Sequence, residues 1–148
     1  MVKKVILIFL IFYVFVFAEQ RIFISSKLKG DDLRKAIIEW IKLKSQNEED
    51  YKIFDSGLMY LFFTSDNIIN KKSLCFDINF YLEYDKFIVD FSNTKLIDIE
   101  TKNIENLTFN IWDTLMNGGW FREYNDNITE ITEELENILE NTTDKTER

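Results

Sequence analysis

The chain has no histidine, no proline, one cysteine and four glycines among 148 residues. Without histidine there is no Ser-His-Asp or Cys-His catalytic set, no imidazole general base and no Cys/His zinc site. Cys75 stands alone, so neither an internal disulfide nor a CxxC motif can form. Positive charge is short as well. Lys and Arg number 18 against 26 Asp and Glu, and a net charge of −8 argues against a nucleic-acid partner, which needs a basic face for phosphates. No Walker A, GxGxxG or calcium-loop signature is present, and no cofactor is expected. The missing proline carries less weight. Ile, Lys, Asn and Phe abound while Gly, Ala, Pro and Arg are rare, which is the codon shadow of an AT-rich genome and points to a bacterium.

What is present begins with an export segment. Met1-Val2-Lys3-Lys4 is basic, and Val5 to Ala18 then runs without a charge as VILIFLIFYVFVFA. A basic start, an apolar stretch of about 7–15 residues and a small residue at its end describe a secretory signal peptide. A membrane-spanning helix needs about 20 apolar residues, so the run is short for a permanent span. No cysteine follows it to carry a lipid. The predicted cut lies between Ala18 and Glu19; an uncleaved anchor is the alternative. N-terminal sequencing of the exported form should therefore read from Glu19, and an intact Met1 in a membrane pellet would show the anchor instead. Loss of Lys3 and Lys4 takes the net charge from −8 to −10. The expected location is periplasmic or extracellular. The membrane is expected to be touched only through the signal segment, before cleavage.

The rest reads as one domain over residues 19–141, with a disordered polar tail at 142–148. A chain of this size can bury roughly two-thirds of its unfolded surface, enough for a core without disulfides. Arg21 to Ser26 is a β-branched and aromatic strand. Asp31 and Asp32 open a helix, and Leu33, Ala36, Ile37, Trp40 and Ile41 form its apolar stripe, ending near Gln46. Tyr51–Asp55 and Leu58–Thr64 make a hairpin around a Ser56-Gly57 turn, and Ser65–Lys72 reads as a loop. Leu74, Phe76, Ile78, Phe80 and Leu82 then alternate with Cys75, Asp77, Asn79, Tyr81 and Glu83, the period of a strand with one wet face. Phe87, Val89 and Phe91 return antiparallel, and Lys95–Ile99 is a candidate extension. Ile104, Leu107, Ile111, Trp112 and Leu115 have helical spacing, closed by Gly118-Gly119. Trp120–Tyr124 reads as an aromatic connection. Asn127 and Glu130 resemble a capping box that opens a last helix to Asn141.

These elements predict an α+β fold in β-α-β-β-β-β-α order. An antiparallel sheet of four to five strands has two helices, with room for a third, on one face. The succession DDLRKAIIEWIK, YKIFDSGLMYLFF, FDINFYLEYDKFIVDFSN resembles an exported bacterial domain of unknown function with a TBP-like fold, over roughly residues 20–140. The resemblance implies a signal or anchor followed by one sheet covered by helices. It implies no catalytic residues.

Without histidine, acid–base work would fall to carboxylates. Asp31/Asp32, Glu48/Glu49/Asp50 and Glu133/Glu134/Glu136 read as solvated helix starts and surface charge. Cys75, with no histidine partner, reads as an inert thiol. Three N-x-[ST] triplets, at Asn106, Asn127 and Asn141, are expected by chance in an Asn-rich chain. The candidate site is the wet side of the sheet: Asp77, Asn79, Tyr81 and Glu83 along one strand, with Asp90 and Ile88 beside them. Asp77 and Glu83 are about 20 Å apart at ~3.3 Å per residue, beyond the ~5–9.5 Å of a working carboxylate pair. Asp90 is the nearest partner for either acid. Both Asp77 and Asp90 are expected to stay hydrated and ionised, with Asp77→Ala costing under ~0.5 kcal/mol. The expectation is an exported, non-catalytic module with an unidentified envelope partner or ligand. A structural subunit and a carboxylate hydrolase are the alternatives.

Overall fold

The computed structural model describes residues 19–116 and 118–141. Residues 1–18, expected from the sequence to be a signal segment, and the tail from Thr142 lie outside the described residues. β1 (Glu19–Ile24) leads into α1 (Gly30–Lys44), a 3-10 turn (Glu48–Asp50) and the short β2 (Tyr51–Ile53). Then come three long strands, β3 (Leu58–Ile69), β4 (Lys72–Leu82) and β5 (Lys86–Asp98). β6 (Ile104–Asn106), α2 (Ile111–Met116) and α3 (Gly119–Asn141) complete the order.

The sheet has six strands, all antiparallel neighbours, in the order β1-β5-β4-β3-β2, with β6 also on β5. Period-two alternation sorts its side chains. Phe76, Ile78 and Phe80 of β4 pair across to Phe63, Leu61 and Met59 of β3, and all six are buried on one face. Phe87, Val89 and Phe91 of β5 join them. Leu33, Ile37, Trp40 and Ile41 of α1 cover this face together with Tyr124, Ile128, Ile131 and Leu135 of α3. The two helices are tied by Glu134, which accepts hydrogen bonds from Trp40 Nε1 at 2.9 Å and Lys44 Nζ at 2.6 Å. Glu134 is thus not the solvated surface charge expected of it.

Three stretches differ from the sequence reading. Ser65–Lys72 is no loop: β3 runs to Ile69, and a two-residue turn at Asn70-Lys71 starts β4. Both turn residues have positive φ, 51° and 64°, the twist that suits a tight hairpin and that Asn tolerates well. The alternation is lost because β3 sets three residues, Ser65 to Asn67, opposite Leu74 alone. Ile104–Asn106 is not the start of a helix, because it adds a sixth strand to the free edge of Lys95–Ile97. Finally, Gly119 opens α3 instead of closing the helix before it, so Trp120–Tyr124 is helical. Asn127 is buried within that helix, and its side chain bonds back to the Glu123 carbonyl at 2.8 Å. It caps nothing. At the other helix, Lys29 holds the N-cap position and Asp31 and Asp32 fall in the first turn, where they suit the positive helix end.

The β4–β5 hairpin needs no glycine at its tip. The Tyr84 and Asp85 carbonyls accept the backbone N–H groups of Gly30 and Ser25, at 2.7 and 2.8 Å. The tip is thereby clamped to the segment between β1 and α1.

Candidate functional site

Antiparallel partners project to the same side of a sheet, so the register places the uncovered face residue by residue. One row crosses four strands: Ile22 of β1, Ile88 of β5, Tyr81 of β4 and Leu58 of β3. Ile22 is 67 % exposed, Tyr81 41 % and Leu58 42 %. The next row is polar and runs Gln20, Asp90, Asn79, Tyr60, Lys52. A third holds Ser92, Asp77 and Phe62. The face therefore carries an apolar stripe beside a hydrogen-bonding one.

Asp77, Asn79, Tyr81 and Asp90 all stand on this face. Glu83 does not: β4 ends at Leu82, and Glu83 lies in the hairpin tip, paired with Lys86 at 3.2 Å. Asp90 sits opposite Asn79, one register step away from Asp77, and burial raises its carboxyl above the ordinary carboxylate value. Asp77 is not the bare hydrated acid expected. Tyr60 donates its hydroxyl to one Asp77 oxygen at 2.7 Å, and Asn93 Nδ2 donates to the other at 2.8 Å. Burial and the Asp77 hydrogen bond both raise the Tyr60 phenol, so it stays a donor at neutral pH. The Asn93 contact bridges a bulge, where β5 sets Asn93 and Thr94 against Phe76 alone and Asn93 takes φ 54°. Losing Asp77 removes two hydrogen bonds, so Asp77→Ala should cost about 1–3 kcal/mol, not under 0.5.

Cys75 lies on the same side of β4 but is fully buried, with Sγ 3.5 Å from the Lys95 carbonyl. Burial pushes the thiol from 9.0 up to about 11, with Lys95 opposing. Because the folded value is raised, the neutral thiol is favoured in the fold. Its contribution is intact below about pH 9 and is lost as pH climbs towards 11. Iodoacetamide at pH 8 should therefore leave Cys75 unmodified in the native protein and alkylate it completely in urea. A urea midpoint falling between pH 9 and 11, with a shallower fall in Cys75→Ala, would register the same shift.

A concave region of about 390 Å³ opens between the end of α1, the β3 bulge and α3. Glu134 on its wall ties α1 to α3, and Glu123, bonded to three of its lining residues, serves the structure as well. Glu123 Oε1 accepts from Ser65 Oγ, Asn67 Nδ2 and Asn127 Nδ2 at 3.2, 2.9 and 3.1 Å, which pins the β3 bulge to α3. Nothing in the sequence announced this hub, since its members come from segments read as loop, connection and cap.

No family model matches the chain, and a search of curated proteins finds no match. Among solved structures the chain is similar to a TBP-like protein from Parabacteroides distasonis, with a TM-score of 0.61 at 9 % identity. The likeness covers 84 % of this chain and 92 % of that one. The fold is TBP-like: an antiparallel sheet with its helices on one side and the other side open.

Proposed function

We propose that this chain, on a TBP-like fold, is an exported, non-catalytic binding module of the bacterial cell envelope that engages its partner through the open sheet face. The observation that carries this is the stripe Ile22-Ile88-Tyr81-Leu58 across four strands, flanked by Asp90 and Asn79. Apolar anchors with an aromatic residue inside a polar rim are the make-up of a contact surface. The helix side has the opposite character: Glu130, Glu133, Glu136 and Glu140 of α3 are all exposed, a solvated acidic surface.

The test is a photo-crosslinking residue placed at Tyr81 and, as control, at Glu136, in cells of the host. A defined adduct from position 81 alone is expected. Ile22→Asp should abolish it, and Asp90→Asn should weaken it, while both variants keep the wild-type urea midpoint. Equal adducts from the two positions, or none at 81, would count against the sheet face. Hydrolysis of an envelope substrate that disappears in Asp90→Asn would replace the binding reading with the carboxylate enzyme.

A further inference from the structure

α2 is only one and a half turns long, yet its start is fixed by a reciprocal cap. The Asp113 amide donates to Asn110 Oδ1 at 2.9 Å and the Asn110 amide to Asp113 Oδ2 at 2.8 Å. This anchored turn holds three large apolar side chains in solvent: Trp112 is 69 % exposed, Leu115 67 % and Met116 79 %. Positions i, i+3 and i+4 share one side of a helix, so the three form one patch.

The place of α2 in the fold says what covers that patch. One residue before Asn110, the cap partner of Asp113, Phe109 packs its ring against Tyr124, with centroids 5.5 Å apart. Phe91 of β5 lines the same concavity as Phe109 and Tyr124, and Glu19 is its register partner on β1. Glu19 is the first residue of β1 and is joined directly to the apolar run Val5–Ala18. With at most ~3.6 Å of chain per residue, no linker separates that run from the end of the domain carrying α2. A bilayer that receives Val5–Ala18 therefore lies against this end. Trp prefers the headgroup level of a bilayer, and Leu and Met its acyl boundary.

We propose that, in the form of the protein that carries residues 1–18, the Trp112-Leu115-Met116 face of α2 rests in the interface of the membrane that holds the apolar run. The proposal relies on Val5–Ala18 entering a membrane and is independent of the sheet face, which is left free for its partner. Three apolar side chains make a weak contact alone. Tethering by the adjacent segment raises their effective concentration at the lipid and makes the contact persistent.

The experiment uses the full chain in phosphatidylcholine vesicles. An environment-sensitive NBD label is placed at Leu115→Cys or, as control, at Glu136→Cys; Cys75 is buried and takes no label. The label at 115 should rise several-fold in intensity, shift to the blue and be quenched by brominated acyl chains. The label at 136 should do none of these. Trp112→Ser with Met116→Ser should return the label at 115 most of the way to its value in water while the protein still floats with the vesicles. If the protein floats but the label at 115 reports water, the α2 contact is overturned and the membrane-entering segment stands. If the full chain does not float, both fall. A blue shift at 115 that grows with protein concentration before lipid is added would assign the patch to a second copy of the chain and overturn the proposal.

Discussion

Ile78→Asp should leave the domain unfolded in buffer at 25 °C. Ile78 is fully buried at the centre of the sheet, between Leu61 of β3 and Phe91 of β5, and under both long helices. A carboxylate there has no donor to pair with, and its desolvation costs several kcal/mol even if it takes up a proton. Domains of this kind are stable by about 5–15 kcal/mol in total, so the loss removes most or all of the margin. Ile78→Val deletes one methylene and should cost only about 0.5–1.5 kcal/mol. Far-UV circular dichroism in a urea titration separates the cases. The aspartate variant should show no folded baseline, and the valine variant a normal transition at slightly lower urea. A cooperative transition for Ile78→Asp near the wild-type midpoint would mean that this side of β4 is wet.

Phe76→Ala should be the next most damaging change, at about 3–5 kcal/mol. Its ring meets three others: Phe63 at 5.0 Å, Tyr124 at 5.6 Å and Phe91 at 6.0 Å between centroids. It also faces the β5 bulge and lies next to Leu74, which faces the β3 bulge, so β3, β4, β5 and α3 all close on this spot. The bulges fix their own backbone through the Glu123 and Asp77 hydrogen bonds, and such a site cannot collapse to fill the space left by a deleted ring. Phe76→Leu keeps most of the volume and should cost less than half as much. Equal urea midpoints for Phe76→Ala and Phe76→Leu would mean that the site relaxes around the gap.

The alternation from Leu74 to Leu82 was legible because β4 lies centrally, with one face under helices and one open, so from Phe76 onward burial follows the period-two pattern of the chain, Cys75 being the exception. β3 escaped after Thr64 because its bulge inserts two extra residues, and a pattern search needs an unbroken period. α3 held a readable signal that the Asn127–Glu130 spacing masked. Phe121, Tyr124, Ile128, Ile131 and Leu135 are one continuous helical stripe, and following it backwards leads to Gly119. β6 could not be read at all. Three residues with no pattern become a strand only because β5 is longer than β1 and offers an open edge. The site divides the same way. Asp77, Asn79 and Tyr81 share a strand, so their common side followed from spacing. Ile22 and Leu58 join Tyr81 only through the pairing of strands that sequence spacing does not encode.

The edge of β5 sets an order of events during folding. β3, β4 and β5 are consecutive and joined by tight turns, so their pairing closes only short loops. β1 must wait for partners about sixty to seventy positions further along, Lys86 to Phe91, before it can enter the sheet. Loop closure over that span is slow, and non-local pairing of this kind sets the pace of folding. A chain threaded out amino end first thus exposes β1 early and completes it late. The meander forms the nucleus, and β1 is the last strand to lock.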